Sequence, residues 1–224
     1  MTKGKKLKEK KASIYERASH EWYVDTPSVS DALFRVESFP GSIHDPCAGM
    51  GNIVRMAIRH GYSARASDIN PRPEHYRGLM SVLSPEPVDF LSKAAEKIQF
   101  ASIVMNPPYG ADGGEDRLEE RFIDRALDLA RFKVAAVVRL QWLVPRMEWL
   151  QQRSLIRVWL LAPRPSMLPG ENIVAGEMPG GGGVDYAWVV FLKGAAVAAT
   201  IGVARRETTF DKPDFWTWRL GKGG

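Results

Sequence analysis

The sequence predicts an α/β fold in which a mostly parallel sheet of seven strands carries helices on both faces. Short apolar runs alternate along the chain with segments whose apolar residues recur every three or four positions. This alternation is typical of parallel βαβ units. Two of the apolar runs end in distinctive polar turns, over 45–52 and 106–109. In open α/β sheets ligands bind at the carboxyl ends of the strands, so these two turns form the candidate site.

The elements in chain order follow from the same patterns. The first half predicts helices over 14–21, from residue 27 or 28 to 36, over 53–60 and over 71–83, with strands over 42–44, 62–68 and 101–105. The second half predicts helices over 118–132 and 145–153, with strands over 134–140, 155–162, 185–193 and 197–203. The stretches 111–116 and 163–183 are rich in glycine, proline and polar residues. The first predicts a mobile lid or a simple connection, and the second predicts a loop that is functional or disordered.

Composition places the chain among ordinary globular proteins, with 45% hydrophobic and 25% charged residues in 224 positions. No apolar run approaches the roughly 18 residues that cross a membrane, and no apolar signal-peptide core follows the lysine-rich start. We therefore expect a cytoplasmic protein without membrane contact. The single cysteine, Cys47, excludes an internal disulfide and gives no metal cluster, so we expect no bound metal.

The formal net charge of +5 belongs to the first eleven residues, which hold six lysines and one glutamate. The rest of the chain is therefore formally neutral. Such a tail can hold phosphates without sequence preference, and it can equally be a disordered, solubilising end. We divide the chain into a basic, disordered tail over 1–13, one domain over 14–204, and a C-terminal tail over 205–224 whose aromatic residues pack on the body.

The turn after the first predicted strand, over 42–44, reads DPCAGMGN over 45–52. Gly49 and Gly51 lack Cβ atoms, so a ligand can approach the backbone closely, and the helix start behind them offers free N–H groups. A dinucleotide-binding turn would need a third glycine where Val54 stands, and the acid Asp45 at the strand end would repel a pyrophosphate. Cys47 lies inside this turn, and we interpret it as a small wall residue rather than a nucleophile.

The second turn reads NPPY over 106–109 and ends the apolar run 101–105. Pro107 and Pro108 fix φ and remove two backbone donors, so the local carbonyl groups point outward with little freedom. Asn106 adds a side-chain acceptor, and Tyr109 adds a flat ring. Two acceptors beside a stacking ring suit a planar group that carries an NH2.

A third candidate, Asp68, ends the second predicted strand, 17 residues after Gly51. This spacing is close to the roughly 20 residues at which an acid binds the ribose of a nucleotide cofactor. One carboxylate can accept from two vicinal hydroxyl groups. An isolated aspartate at a strand end is usually a turn former, but its place after the glycine turn favours ribose binding.

Together the two turns make the chain resemble the class I S-adenosylmethionine-dependent amino-methyltransferases. Within these it is most similar to the N6-adenine group, and in particular to small phage and prophage enzymes. The resemblance rests on the DPxxGxG and NPPY motifs, on their order, and on the threonine-proline step at Thr26. It implies a Rossmann-like class I methyltransferase fold with an antiparallel last strand, and S-adenosyl-L-methionine as the cofactor.

The resemblance also implies a role for each matching residue. Thr26 borders the methionine end of the cofactor, Asp45 lies near its ammonium group, and Asp68 holds its ribose. Ile69 packs on the adenine, whose amino group donates to Asp89, although Asp89 would serve nearly as well as the cap of a helix over 91–98. The full expected cofactor-binding set is Tyr23, Thr26, Asp45, Cys47, Gly49, Gly51, Asp68, Ile69, Asp89 and Asn106.

The expected chemistry follows from the NPPY turn. Asn106 and the Pro107 carbonyl would accept the two hydrogens of the adenine amine, which favours a pyramidal nitrogen with its lone pair aimed at the methyl group. Transfer is then governed by positioning and local electrostatics. Tyr109 would stack on a flipped-out base. The expected catalytic residues are Asn106, Pro107 and Tyr109, and the expected substrate-binding residues are Pro108 and Tyr109.

Other functions stay open. The same motif occurs in enzymes that methylate adenine in RNA, and in enzymes that methylate the glutamine amide of release factors, which usually carry a helical N-terminal domain that we do not expect here. Asparagine at position 106, rather than serine or threonine, disfavours cytosine N4. A catalytically silent nucleic-acid-binding subunit would be expected to lose Asn106 or the glycines, and the chain keeps them.

We expect a nucleic acid as the partner, DNA rather than RNA, and leave the oligomeric state open. The larger DNA enzymes of this type carry a separate recognition domain, but here the sheet consumes most of 111–193. Recognition must therefore come from the loops 111–116 and 163–184, the basic tail or the C-terminal aromatic residues.

Overall fold

The computed structural model describes residues 22–75, 79–92, 99–110, 118–180 and 182–212. Its strands are β1 (Tyr23–Val24), β2 (Ile43–Asp45), β3 (Ala64–Ala66), β4 (Phe100–Met105), β5 (Ala130–Arg139), β6 (Leu155–Ala162), β7 (Leu168–Pro169), β8 (Tyr186–Leu192) and β9 (Thr200–Arg205). Its helices are α1 (Pro27–Val36), α2 (Asn52–Arg59), α3 (Leu118–Leu129), α4 (Leu140–Leu143), α5 (Met147–Gln151) and α6 (Gly170–Val174).

Seven of these strands form one doubly wound sheet in the order β3-β2-β4-β5-β8-β6-β9. Strand β2 pairs in parallel with β3 on one side and β4 on the other, so the winding direction reverses between β2 and β4. Strand β8 is antiparallel to both of its neighbours, β5 and β6. Strand β9 comes after β8 in the chain and lies at the edge of the sheet, exposed and parallel to β6. The predicted fold class, a mostly parallel seven-stranded sheet with helices on both faces and one antiparallel strand, is confirmed; the antiparallel strand is β8, and the last strand, β9, is parallel to β6.

Helices cover both faces of the sheet because neighbouring strand residues point to opposite sides. On β4, the side chain of Val104 packs into the core beneath α1 and α2, whereas Ile103 and Met105 pack into the core beneath α3. Each of the three is completely buried. Burial on both faces explains why the central strands are almost continuously apolar instead of alternating with polar residues.

The predicted helix over 71–83 is wrong in the part that the structure describes. Pro73–His75 makes a single 3₁₀ turn, and 79–82 form turns. Leu83 instead makes a parallel bridge with Ala66 of β3. The outer edge of β3 has backbone groups that need partners, and an extended segment supplies them where a helix cannot.

The boundary between α3 and β5 also differs from the prediction. The helix predicted over 118–132 ends at Leu129, and β5 starts at Ala130 rather than at Val134. Ala130 already pairs with Phe100 of β4, so pairing with the sheet decides the conformation of residues whose apolar spacing also suits a helix. The helix predicted over 145–153 is a 3₁₀ turn at Val144–Arg146 followed by the short α5.

The stretch 163–183, predicted as irregular, contains β7 and α6. Strand β7 pairs in antiparallel fashion with β1, and the two elements enclose a small apolar cluster of Val24, Met50, Leu168 and Ile173. This cluster packs beside the turn after β2, since Met50 belongs to that turn. Strand β7 and helix α6, from the C-terminal half of the chain, therefore pack against the turn that the sequence assigns to the cofactor, without lining the cavity beside it.

The start of the predicted C-terminal tail docks on α1. A 3₁₀ turn over Thr208–Asp211 buries Phe210, and the Asp211 carboxylate accepts hydrogen bonds from the backbone N–H and hydroxyl of Ser28 at 3.2 and 2.8 Å. The basic tail, the helix over 14–21, the loop 111–116 and the remaining aromatic tail lie outside the described residues. No helix in the part of the chain that the structure describes is long and apolar enough to cross a membrane.

Candidate active site

A cavity of about 340 Å³ opens at the carboxyl ends of β2, β3 and β4, where the winding of the sheet reverses. This volume lies within the range of small-molecule sites. Six segments converge on it: the residues before α1, the turn after β2, the turn after β3, the stretch 88–91, the turn after β4, and the start of α3. They contribute Trp22, Tyr23, Pro46, Cys47, Gly49, Asp68, Ile69, Asn70, Arg72, Val88, Asp89, Phe90, Leu91, Asn106, Pro108, Leu118 and Phe122.

The glycine turn forms the wall of the cavity next to β2. Gly49 and Gly51 have φ angles of +51° and +77°, in the left-handed region that side chains with a Cβ rarely adopt. Gly51 is the residue before α2, so its conformation lets the chain enter the helix directly from the turn. Gly49 lines the cavity, whereas Gly51 lies behind it. Gly51 therefore determines the conformation of the turn but does not line the cavity.

Asp68 links the ends of β2 and β3. One carboxylate oxygen, Oδ2, accepts from the backbone N–H of Gly49 at 2.8 Å, and Oδ1 accepts from that of Asn70 at 2.8 Å. The guanidinium of Arg72 lies 3.8 Å from Oδ1. Each carboxylate oxygen keeps a further lone pair, so Asp68 can fix the glycine turn and still accept from a ligand in the cavity that it lines.

Two further carboxyl groups lie behind the glycine turn. Asp45 is almost completely buried and does not line the cavity, and its Oδ1 accepts from the backbone N–H of Cys47 at 3.0 Å. Burial raises the pKa of Asp45 well above its usual range, and the charges of Asp25 and Asp68 raise it further. Burial also raises the pKa of Asp25 to about 6. A cation bound nearby would favour the ionised carboxylates.

The thiol of Cys47 lies on the cavity wall but is not activated. Burial raises the pKa of Cys47 well above its usual range, and the charges of Asp45 and Asp68 act in the same direction. A protonated thiol is a poor nucleophile. The surroundings of Cys47 therefore match those expected of a small wall residue.

Asn106 follows the carboxyl end of β4, and two hydrogen bonds fix the orientation of its side-chain amide. Its Nδ2 donates to the backbone carbonyl of Tyr23 at 3.0 Å, and its Oδ1 accepts from the Tyr109 hydroxyl at 2.7 Å. A backbone carbonyl can only accept, so the amide orientation is set by Tyr23. Burial raises the pKa of Tyr109 well above its usual range, which keeps its hydroxyl protonated as the donor.

The other residues of the NPPY turn are divided between the cavity and the core. Pro108 lines the cavity, whereas Pro107 is buried beside it. Tyr109 is only 5% exposed, with its ring packed against Tyr186 and the Arg139 guanidinium 5.1 Å from the ring centroid. A base cannot stack on the Tyr109 ring in this position. The stacking role stays a prediction, and it requires the ring to turn outward.

The far end of the cavity is apolar with one carboxylate at its edge. Ile69 is 58% exposed there, unusually open for a large apolar side chain, and Phe90 and Phe122 form a tilted ring pair 5.7 Å apart. Asp89 Oδ1 accepts from the backbone N–H of Leu91 at 2.9 Å. The bond to Leu91 is a local capping bond, yet Asp89 also lines the cavity. An apolar slot with an acceptor at its rim suits a purine ring with an amino group.

Three of the expected cofactor residues do not reach the cavity surface, namely Thr26, Asp45 and Gly51. Thr26 is completely buried, and its hydroxyl bonds to Ser28 and accepts from Arg206 at 3.0 and 3.1 Å. Its side chain therefore fixes the start of α1. The structure brings together Tyr23, Cys47, Gly49, Asp68, Ile69, Asp89, Asn106 and Pro108.

Sequence reasoning missed Trp22 and Arg72 on the cavity wall. The Arg72 guanidinium lies 3.7 Å from the centroid of the Trp22 indole. The position of Trp22 directly before Tyr23 was an available signal, because neighbouring residues of a site-lining segment are candidates too. Arg72 could not be predicted as a cavity residue, because the sequence predicts a helix over 71–83 where the structure has a turn.

The chain matches solved structures of the methyltransferase fold. It is 14% identical to the M protein of the type I restriction enzyme EcoKI, with a TM-score of 0.55 over 78% of this chain, and it spans 44% of the length of that protein. It is 18% identical to a structure described as a predicted O-methyltransferase from Agrobacterium tumefaciens, with a TM-score of 0.50 over 81% of this chain and 86% of that one. It is 16% identical to protein 1320 of Thermoplasma acidophilum, with a TM-score of 0.51 over 69% and 79% of the two chains.

These identities are low, so the matches establish the fold alone. No protein-family model matches the chain, and no curated protein matches it in sequence.

Proposed function

We propose that the chain is an S-adenosylmethionine-dependent methyltransferase that modifies the N6 amine of adenine in DNA. The observation that carries the proposal is the fixed amide of Asn106 at the mouth of β4, on the wall of the cavity. Its orientation presents a carbonyl oxygen, the group that an amine substrate needs. The solved structures of this fold include a restriction M protein and a predicted O-methyltransferase by name. The proposed methyl acceptor, the adenine amine, therefore rests on the residues of the site and not on these structures.

The cavity suits the proposed cofactor along its whole length. The apolar slot beside Ile69 and Phe90 would hold the adenine, with Asp89 accepting from its amino group. Asp68 would accept from the ribose hydroxyls, and the backbone of Gly49 would let the sugar approach closely. When bound there, the cofactor supplies the methyl group to be transferred.

The charge around the glycine turn favours this cofactor over a dinucleotide. Asp25, Asp45 and Asp68 place three carboxyl groups beside one turn, two of them with raised pKa values. A pyrophosphate there would add repulsion between like charges, whereas a sulfonium and an ammonium group would be attracted. The surroundings of the turn therefore support a cationic ligand.

The residues of the NPPY turn can prepare an amine for transfer. Asn106 Oδ1 accepts from Tyr109 but retains a second lone pair, so it can also accept one hydrogen of the substrate amine. The Pro107 carbonyl is proposed to accept the other hydrogen. Two acceptors draw electron density toward nitrogen and hold its lone pair in one direction, and transfer then depends on positioning. In the proposed transfer the methyl carbon would bond to nitrogen as its bond to sulfur breaks, the electron pair would stay on sulfur as a neutral thioether, and the methylated amine would lose one proton to solvent.

The nucleic-acid substrate is supported by the NPPY motif and by the lysine-rich start of the chain, which carries the whole net charge. DNA is the first choice, and RNA adenine and a protein glutamine amide are the alternatives. A planar amine is common to all three, so the site chemistry admits each of them. Transfer assays with DNA, RNA and release factor distinguish the three substrates.

The test is transfer of labelled methyl groups from S-adenosylmethionine to unmethylated plasmid DNA, ribosomal RNA and release factor, with the modified product identified by mass spectrometry. We expect N6-methyladenine in DNA. Asn106→Ala should lower the transfer rate about a hundredfold or more, as loss of a single transition-state hydrogen bond typically does, and leave cofactor affinity within about threefold, since Asn106 contributes only one edge of that site. Asn172→Ala, which removes an amide bonded to Glu177 away from the cavity lining, is the matched control and should be neutral.

The possible outcomes separate the alternatives. Label only in RNA or only in protein moves the assignment to the corresponding alternative. Cofactor binding without transfer to any substrate favours the silent binding subunit. An Asn106→Ala variant with full activity would remove the amide from the mechanism.

A further inference from the structure

The Trp22 indole is held in one orientation on the cavity wall. The Arg72 guanidinium lies 3.7 Å from its ring centroid, and His75 stacks on it at 6.2 Å. Gly170 touches the ring so closely that a Cβ there would lie 2.2 Å from two of its carbons. The Gly170 backbone N–H also donates to the Trp22 carbonyl at 2.9 Å. Such close packing leaves the ring little freedom.

The indole N–H is buried and has no acceptor among the described residues. A buried donor without a partner is destabilising, so native proteins rarely retain one without a reason. Nε1 lies 3.7 Å from the position that a Cβ on Gly49 would occupy. The N–H therefore lies beside the glycine turn, at the edge of a cavity that both residues line.

Arg72 brings unused donors to the same place. Its Nη1 donates to the Asn70 carbonyl at 2.8 Å, and the remaining guanidinium N–H groups bond to nothing within the described ranges. Its charge is only partly compensated by Asp68, at 3.8 Å. The indole and the guanidinium that lies over it thus present donors close to each other, an arrangement that an oxyanion can accept from.

We propose that Trp22 and Arg72 form the subsite for the carboxylate of the methionine moiety of the cofactor. This inference rests on the proposed function, because it concerns the ligand of the same cavity. The site would then bind the ammonium group and the carboxylate of the methionine moiety at two different places. The acids Asp25 and Asp45 lie on the side of the ammonium group, and the stacked Trp22–Arg72 pair receives the carboxylate.

The experiment compares two ligands that differ only in this carboxylate. Binding of S-adenosylmethionine and of its decarboxylated form is measured by calorimetry for the wild type, Trp22→Phe and Arg72→Gln. Trp22→Phe keeps a flat ring and removes the N–H. Because a hydrogen bond to a charged group is lost, we expect about tenfold weaker binding of S-adenosylmethionine. The decarboxylated ligand should change less than about twofold. Arg72→Gln should show the same selective loss.

Chain-matched controls come from a second tryptophan–arginine stack. The Arg153 guanidinium lies 3.8 Å from the centroid of the Trp149 ring, and neither residue lines the cavity. Trp149→Phe should leave both affinities unchanged. A partly unfolded Trp22→Phe sample would lose both ligands in equal proportion, so the ratio of the two affinities is a readout that instability does not move.

Equal weakening of both ligands by Trp22→Phe would overturn the proposal, because the ring would then act by stacking alone. Unchanged binding of S-adenosylmethionine in both variants would overturn it too, while the proposed function would stand if the wild type binds the cofactor. A wild type that binds neither ligand would remove the proposed function and this subsite together.

Discussion

The Tyr109 hydroxyl donates to Oδ1 of Asn106 at 2.7 Å, and both residues belong to the same four-residue turn. The sequence suggested that the tyrosine ring faces the substrate and the asparagine acts beside it. In the structure the tyrosine is buried and holds the asparagine. Met167, from the segment between β6 and β7, lies 3.8 Å from the same hydroxyl. The NPPY turn is thus supported from the C-terminal half of the chain.

The first prediction separates the two roles of Tyr109. If the hydroxyl anchors Asn106, Tyr109→Phe should lower the transfer rate about tenfold, since one hydrogen bond of about 1 kcal/mol or slightly more positions the acceptor. Cofactor affinity should stay within about twofold, since the lost bond does not reach the cofactor. Steady-state kinetics and calorimetry give the two values. If the ring only stacks on a base, the phenylalanine variant should remain active and only Tyr109→Ala should fail.

The second prediction concerns Arg206, whose buried guanidinium joins distant parts of the chain. It donates to the hydroxyls of Thr26 and Ser28, to the carbonyls of Pro163 and Arg164, and to Asp211. Burial lowers the pKa of Arg206, and Asp211 acts against that effect. Arg206→Met would remove the cation that lies beside the Asp211 carboxylate. We expect a loss of about 3 kcal/mol in the free energy of unfolding, measured with urea.

The control for Arg206 is a pair of the same kind at the surface. Arg164 bonds to Asp185 with both side chains about half exposed, so Arg164→Met should lower the free energy of unfolding much less than Arg206→Met does. The double variant Arg206→Met with Asp211→Asn should recover part of the loss, because the negative charge is removed together with the cation beside it. A similar loss in Arg206→Met and Arg164→Met would contradict the view that burial makes the Arg206 network important.

The third prediction is a pH dependence from Asp25. Its pKa is raised by burial to about 6, from the ordinary value of 3.8. The protonated carboxyl is therefore favoured in the folded state, and this contribution is complete below about pH 4 and lost as the pH rises through about 6. Asp25→Asn cannot ionise and keeps an oxygen for the Ser30 hydroxyl. Its stability relative to the wild type should rise by about 3 kcal/mol between pH 4 and 7.

The difference between variant and wild type is the quantity to measure, because a buried histidine opposes Asp25 in the same range. Burial lowers the pKa of His44 to about 4, so its contribution is present above about pH 6.5 and lost as the pH falls toward 4. His44 is present in both proteins and cancels in the difference. Urea unfolding at several pH values between 4 and 8 gives that difference. A flat difference would mean that Asp25 does not titrate in this range.

The sequence was sufficient for the sheet and for the two turns, because these depend on local patterns. The apolar run before Asn106 and the glycines after Asp45 mark strand ends directly. The helix over 71–83 was wrong because its apolar spacing was real, while the need of β3 for an edge partner at Leu83 is a tertiary effect. A single-sequence pattern contains no information about which edge lacks a partner.

The contacts between distant segments could not be predicted for the same reason. The pairing of β7 with β1 and the docking of Asp211 on α1 each join residues more than 140 positions apart. Arg206 is one arginine among many in the sequence, and only burial distinguishes it. The donors Trp22 and Arg72 likewise become a pair only when the turn after β3 folds back beside the segment before α1.

The last prediction uses two glycines with the same backbone requirement. Gly49 and Gly61 have φ angles of +51° and +86°, so an alanine at either position should cost about 1 kcal/mol of stability from backbone strain. Gly61 has nothing within 4 Å of an added Cβ, and Gly49 has only ordinary contacts with Trp22 and Cys47. The two variants should therefore melt at similar temperatures.

They should differ in cofactor binding. The Cβ of Gly49→Ala would project beside the Trp22 N–H into the space where the ligand passes closest to the backbone, and we expect at least about tenfold weaker binding, since a steric conflict of 1.4 kcal/mol already has this effect. Gly61→Ala lies at the end of α2, away from the cavity lining, and should bind as the wild type does. Calorimetry with S-adenosylmethionine compares them. Equal affinities in the two variants would mean that the cofactor does not approach the glycine turn, and the placement of its ribose at Asp68 would then fail as well.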